Sequence, residues 1–472
     1  MTTGQSQNSE TSHSGTRSAL ALLLAINLFN YIDRQVVSAV VGPIKRTFFN
    51  ENGELTAAGS DSLNAAIHWF EHQIGFKPED ALLGLLGTAF MVMYMIGAPL
   101  FARLADRWSR WHIIALGAIL WSIASGATGL ASTFLILLVT RCFVGIGEAA
   151  YGPVAPAMIA DMYPIEKRGQ KLAWFYVATP VGSALGYVLG GWIAASSIGA
   201  WGQAALGINH ESWQWVFFLI TIPGVILGLV CLRMKEPPRL TAEPDGKARS
   251  VPWRDYLELV RTPSYVLCTF GMTAMTFAIQ GIAFWMPYYM EKLPGAPANS
   301  TIIFGGIIAV SGLCATLLGG IAGDKLRRRF ANSYFLVSGV AMAAGFPIFL
   351  AALRAPFPMM WVLMFLTCFC LFFNTGPTNT ILANVTRTPL RAIGYAVNIF
   401  VIHALGDVIS PVIVGVLNDL YGDMYISFVV VGVMFLIAAA FWFAGAFYLK
   451  RDTERAVMND AARKGTSLKY GH

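Results

Sequence analysis

The sequence predicts an all-α integral membrane protein of twelve spanning helices, arranged as two six-helix halves. Three observations carry this. Of 472 residues, 56% are hydrophobic and only 12% charged, about half the roughly 25% charge of an ordinary soluble chain. The apolar residues gather into twelve windows, each at least the ~20 residues needed to cross roughly 30 Å of hydrocarbon. The charged residues fall between these windows, and the bases collect in alternate loops.

The windows run at about 18–41, 82–104, 112–132, 135–160, 170–196 and 214–233, then 263–290, 302–323, 332–353, 358–386, 391–418 and 425–449. They divide the chain into an N-terminal bundle at 18–233, a linker at 234–262 and a C-terminal bundle at 263–449, with a tail at 450–472. Residues 1–17 are polar and rich in Ser, Thr and Gln, and read as a disordered tail. The apolar run behind them is too long for a signal-peptide core, so the first span is expected to stay in the membrane. Twelve spans put both termini on one side. Loops on that side hold about 26 Lys and Arg against about 5 on the other, with Arg34 and Arg141 left inside spans. Positive charge favours the cytoplasm, so both termini are expected there, in a cell membrane such as the bacterial inner membrane. The net charge of +7 is then a topology signal, and no nucleic-acid partner is implied.

The linker carries Lys235, Arg239, Lys247, Arg249 and Arg254, bases suited to contact with anionic headgroups. In the loop at 45–81, Leu63, Ile67, Phe70 and Ile74 recur at helical spacing after Ser60, Asp61 and Ser62. That pattern predicts a short amphipathic helix on the extracytoplasmic surface. The same stretch contains His68-Trp69-Phe70-Glu71-His72, an H-x-x-E-H string in a loop too short to supply a third ligand or a cleft. Gly145-Ile146-Gly147 imitates a dinucleotide fingerprint inside a span, with no strand before it. The six cysteines lie within apolar runs. No metal, disulfide framework or cofactor is therefore expected.

Charge at membrane depth is the sharpest functional signal. Asp33 and Arg34 fall near the middle of the first span and Glu148 near the middle of the fourth. Arg141 lies about 10 Å further along, at 1.5 Å per residue and on the same helix face. An ionised group there costs at least about 2.5–3.5 kcal/mol unless paired or hydrated. Asp33 can pair with Arg141, or Arg34 with Glu148. Buried pairs stabilise little relative to apolar packing, so a functional cluster is favoured over a permanent structural bridge. His403 and Asp407, four apart, can meet on one face as a gating or relay pair or as a packing element. Asp161 falls at the rim of the fourth span and reads as structural.

An internal repeat follows the second and eighth spans. It reads Ala102-Arg103-Leu104-Ala105-Asp106-Arg107-Trp108-Ser109-Arg110 in one half and Gly320-Ile321-Ala322-Gly323-Asp324-Lys325-Leu326-Arg327-Arg328 in the other. The matched acid followed by bases resembles the signature loop of the major facilitator superfamily, although Ala102 and Ser109 stand where glycines are usual. The resemblance implies that spans 1, 4, 7 and 10 line a cavity and that the two halves rock to alternate access. Asp106, Arg107, Arg110, Asp324, Lys325, Arg328 and Asp407 would then gate the motion. Asn30 to Arg34, Arg141 to Ala149, Phe175 to Tyr187 and His403 to Pro411 resemble the Spinster family of lipid transporters. The acid and base pattern alone also resembles organic-anion:proton symporters. Gly182, Gly186 and Gly190 form a small-residue packing face. Tyr187 replaces the proline of an antiporter motif there, so no direction of exchange follows.

On this resemblance the C-terminal half adds Phe277, Gln280, Phe284, Trp285, Asn374, Thr375 and Asn379 to the cavity, all aromatic or neutral. A charged end and an aromatic wall suit a small amphiphile of lysophospholipid or sphingoid type. Asp33 and Glu148 are expected to couple protons. Arg34, Arg141, Gln280, Phe284, Trp285, Asn374 and His403 are expected to bind substrate. The alternative is an organic-anion:proton symporter. No catalytic constellation or nucleotide-binding domain is visible, so an ion-driven, monomeric carrier is expected rather than an enzyme.

Overall fold

The computed structural model describes residues 4–56, 61–163, 165–207, 209–237, 256–387 and 390–469. The linker residues 238–255 and Ser60 of the expected cap lie outside them. Helices α1 (Gly4–Ala39) and α2 (Val41–Phe48) lead to α3 (Asp61–Ile74), the short surface helix that the spacing predicted. Helices α4 (Glu79–Arg107), α5 (Arg110–Gly129), α6 (Phe134–Ala149), α7 (Val154–Met162) and α8 (Ile165–Ala194) follow. The first half closes with α9 (Ile198–Leu206) and α10 (Ser212–Cys231). Then come α11 (Tyr256–Val260), α12 (Pro263–Glu291), α13 (Ser300–Arg327), α14 (Ser333–Arg354), α15 (Met359–Phe372) and α16 (Thr375–Val385). Last are α17 (Arg391–Ile402), a π-helical turn at His403–Asp407, α18 (Ser410–Tyr421), α19 (Met424–Ala446) and α20 (Leu449–Lys469). Twelve candidate spans result, and no strand is present among the described residues. In hydrocarbon each backbone N–H must be satisfied within its own helix, and this composition leaves no other way to cross.

Contacts group the chain into two compact units, Met1–Ala248 with Pro287–Gly306, and Arg249–Met286 with Ile307–His472. In the first unit, α8 lies directly against α1. A Cβ on Gly182 would meet the Leu28 carbonyl oxygen at 2.7 Å, and one on Gly186 the Ile32 carbonyl oxygen at 2.6 Å. Side chains here would push the helices apart, so the glycine face expected from the sequence sets their approach. Asn27 Nδ2 donates to the Phe175 carbonyl at 2.8 Å and fixes the register. At the end of the unit remote from the termini, Lys45 Nζ lies 2.7 Å from Asp80 Oδ1 and 3.1 Å from Glu79 Oε2. Burial alone would pull the Lys45 ammonium down, but Asp80, with Tyr288 and Glu79, holds it above its ordinary value.

The second unit has an aromatic core of its own. Phe349 stacks on Phe435 at 5.5 Å and meets Phe428 edge-on at 6.0 Å. Asp452 of α20 accepts the Ser264 backbone N–H at 2.9 Å and so caps the first turn of α12. Arg387 pairs with Glu258 through both nitrogens of its fork.

Candidate functional site

The four mid-depth charges meet in one buried cluster of the first unit. Asp33 and Arg34 project from α1, and Arg141 and Glu148 from α6. Gly147 lets α6 settle against α5, since a Cβ there would meet the Trp121 backbone N at 2.6 Å. Helix α6 ends one residue after Glu148, and Tyr151 Oη donates to the Leu23 carbonyl at 2.6 Å, tying the break to α1. Both pairings open to the sequence form together. Arg34 Nε donates to Glu148 Oε2 at 2.7 Å, and Arg141 Nη2 lies 3.8 Å from Asp33 Oδ2. Asp33, Arg141 and Glu148 are 3%, 2% and 0% exposed.

Residues that the sequence did not single out complete the cluster. Ser125 Oγ of α5 donates to Asp33 Oδ1 at 2.5 Å. The Arg34 guanidinium carbon stands 5.1 Å from the ring centres of Tyr31 and Phe90 and 5.0 Å from that of Tyr94. Three rings around one cation offset part of its dehydration. Serine and aromatic residues are ordinary in spans, so nothing in their identity marked them. Despite these contacts the cluster is incompletely satisfied. Asp33 Oδ2, Arg141 Nη1 and Glu148 Oε1 are buried without a hydrogen-bond partner among the described residues. Buried polar groups are normally paired, so three such atoms on one charged cluster set it apart from ordinary packing.

In the second unit, His403 Nδ1 and Asp407 Oδ2 stand 2.5 Å apart across the π-helical turn, as their spacing allowed. Gln280 is half-buried on α12. Asn374 occupies the break between α15 and α16, where Nδ2 donates to the Cys370 carbonyl at 2.8 Å and Oδ1 has no partner. The expected aromatic wall needs correction. Phe284 is 2% exposed and Trp285 0%, and Trp285 Nε1 donates to the Pro411 carbonyl at 2.8 Å. Both rings are interior packing here, with no face open to a substrate chain.

In the first signature loop, Arg110 reaches Asp161 Oδ2 at 2.6 Å, Glu236 Oε1 at 3.0 Å and the Pro237 carbonyl at 3.0 Å. Asp161, read as a structural rim residue, is one of two acids paired with Arg110. Arg107 is exposed, and the Asp106 side chain lies outside the described residues. In the second copy, Asp324 Oδ1 accepts the Tyr334 hydroxyl at 2.7 Å, while Lys325 and Arg328 are exposed. On α3, His68 faces Glu54 at 3.2 Å and Glu71 at 3.5 Å rather than His72.

Comparison with known proteins follows the same lines. The Major Facilitator Superfamily profile matches residues 23–411. Protein spinster homolog 1 of Xenopus tropicalis is 30% identical over 477 residues, covering 92% of this chain and 81% of the relative. The sphingosine-1-phosphate transporter SPNS2 of Danio rerio is 28% identical, covering 96% and 88%. A crystal structure of a bacterial homologue of the human lysosomal transporter Spinster, inward-facing and unoccupied, superposes with a TM-score of 0.78 at 23% identity. It covers 93% of this chain and 98% of that one.

Proposed function

This chain belongs to the Major Facilitator Superfamily as a transporter of the Spinster type, and we propose that it moves an anionic amphiphile, of lysophospholipid or sphingoid type, by proton-coupled alternating access. The observation that carries the proposal is the incomplete satisfaction of the buried cluster. An unpaired buried polar atom costs about 1–3 kcal/mol, and three of them, on Asp33, Arg141 and Glu148, fall in this one charged cluster. Open carboxylate oxygens on Asp33 and Glu148 can take a proton. The open Arg141 nitrogen, with Arg34, can take an anionic headgroup. A headgroup competing for either guanidinium frees the acid it was paired with, which links ligand to proton without further parts.

Gln280, Asn374 and His403 are the polar substrate contacts of the second unit in this reading, and Asp407 steers His403. Phe284 and Trp285 shape α12 rather than touch the chain. Arg110 with Asp161, and Asp324 with Tyr334, act as latches whose release accompanies rocking. Both termini lie in the cytoplasm and the working unit is a monomer in the cell membrane. Support for the substrate class comes from the relative named for sphingosine-1-phosphate.

The test is a binding and transport series in proteoliposomes, using lysophospholipids of increasing chain length. Each methylene buried contributes up to about 0.8 kcal/mol, so four more should tighten binding well over tenfold until the site is full. Substrate should cross unchanged, and removal of the anionic group should weaken it. A small sugar acid binding as well as its alkylated relatives would reject the amphiphile and leave an organic-anion:proton symporter.

A further inference from the structure

The second unit carries a groove of about 430 Å³ lined only by Ala, Leu, Val, Phe and Cys side chains. Leu326 of α13, Leu336, Val337 and Val340 of α14, and Phe369 and Phe373 of α15 form most of it. Its α14 wall, Leu336 to Ala341, runs for two turns from the start of that helix, ending about 12 Å in at 1.5 Å per residue. Val340, 59% exposed, stands at its mouth within a candidate span. An apolar hollow at this depth faces lipid chains. The rim makes it selective. Leu326 is followed directly by Arg327, Arg328 and Arg329, all exposed. Arg327 is held in place, with its guanidinium carbon 5.5 Å from the Tyr334 ring centre and Nη1 3.4 Å from the Tyr334 hydroxyl. That hydroxyl in turn donates to Asp324, leaving more base than acid at the rim.

We propose that this groove binds one anionic glycerophospholipid, with an acyl chain between α13, α14 and α15 and its phosphate against Arg327 and Arg329. The site is separate from the transport cluster and does not depend on what is carried. An arginine fork suits phosphate oxygens, and a base near a membrane surface favours an anionic lipid about fivefold.

Full-length protein in nanodiscs of phosphatidylcholine with a minor share of phosphatidylglycerol tests this, with retained lipid counted by native mass spectrometry. Arg327→Gln with Arg329→Gln should lower phosphatidylglycerol retention by roughly fivefold for each base. Val340→Trp should abolish the preference with every charge in place. Melting in pure phosphatidylcholine checks that Val340→Trp still folds, and Ala341→Leu replaces it if not. Arg103→Gln with Arg233→Gln, two exposed bases of the first unit, should change nothing. Equal loss in that control would assign the effect to bulk charge and overturn the proposal. Unchanged retention in the groove variants, or full competition by glycerol phosphate lacking a chain, would overturn it equally.

Discussion

Replacing Arg34 by Met and Glu148 by Leu, singly and together, separates a working ion pair from a structural one. Glu148 is fully buried and its Oε2 accepts from Arg34 Nε at 2.7 Å, while Oε1 already lacks a partner. Arg34→Met alone therefore strands a buried carboxylate and should destabilise by about 3–5 kcal/mol. Glu148→Leu should be milder, near 3 kcal/mol, because three aromatic rings still face the guanidinium and each is worth about 0.5–2 kcal/mol. The double variant should regain most of the loss, and pairs replaced by packed apolar residues can gain about 1–4 kcal/mol. The cycle then returns a coupling of at least about 3 kcal/mol. Unfolding in detergent gives the stabilities, and gradient-driven uptake in proteoliposomes gives function. The double variant is expected to be stable and inactive. Normal uptake by it would make the pair mere packing and refute the coupling role.

Asp33→Asn should keep substrate binding but lose accumulation against a gradient, with tracer uptake with and without a pH step as the readout. Ser125→Ala removes the hydroxyl that donates to Asp33 and should shift the pH dependence of uptake; an unmoved profile would exclude Ser125 from the proton site. Gly186→Leu places a Cβ 2.6 Å from the Ile32 carbonyl oxygen, so α1 and α8 must separate. A loss of about 1–3 kcal/mol, seen as a lower melting temperature, should follow. Asp161→Ala removes the acid 2.6 Å from buried Arg110 but leaves Glu236 in place, and should destabilise by about 1–3 kcal/mol, whereas Arg107→Ala, at an exposed site, should stay within about 0.5 kcal/mol.

The spans were legible because hydrocarbon imposes a length and a composition that few other environments require. The four charges of the cluster were legible for the same reason, since each falls within an apolar run. Which acid met which base was not. Asp33 and Arg34 are neighbours in sequence and so point to different sides of α1, which let both pairs form at once. Ser125, Phe90 and Tyr94 were invisible because membrane helices use such residues freely, and Tyr31 stood out only as part of a motif. Phe284 and Trp285 misled for a related reason. A ring on a cavity-lining helix can turn towards the cavity or the bundle, and only the Pro411 carbonyl, distant in sequence, settles where Trp285 points. Asp161 and Glu236 were hidden as partners of Arg110 because both lie far from its motif in sequence, Asp161 on α7 and Glu236 beyond the end of α10.

The π-helical turn at His403–Asp407 changes how a lesion in this span should be understood. Val408 N–H bonds to the His403 carbonyl at 3.0 Å, five residues back rather than four, so the span carries one residue more than a regular helix would. Deleting one residue of the turn, such as Leu405, would let the wide turn close to an ordinary one, and the helix beyond would keep close to its present phase. A deletion in the regular helix before the turn has no such slack and would rotate everything beyond it by about 100°. Ser410 would then turn away from the Phe277 carbonyl, and the Pro411 carbonyl from Trp285, contacts now at 2.6 and 2.8 Å. The irregular turn thus confines the effect of one lost residue to His403–Asp407, whereas the same loss elsewhere shifts a whole half-span against its neighbours.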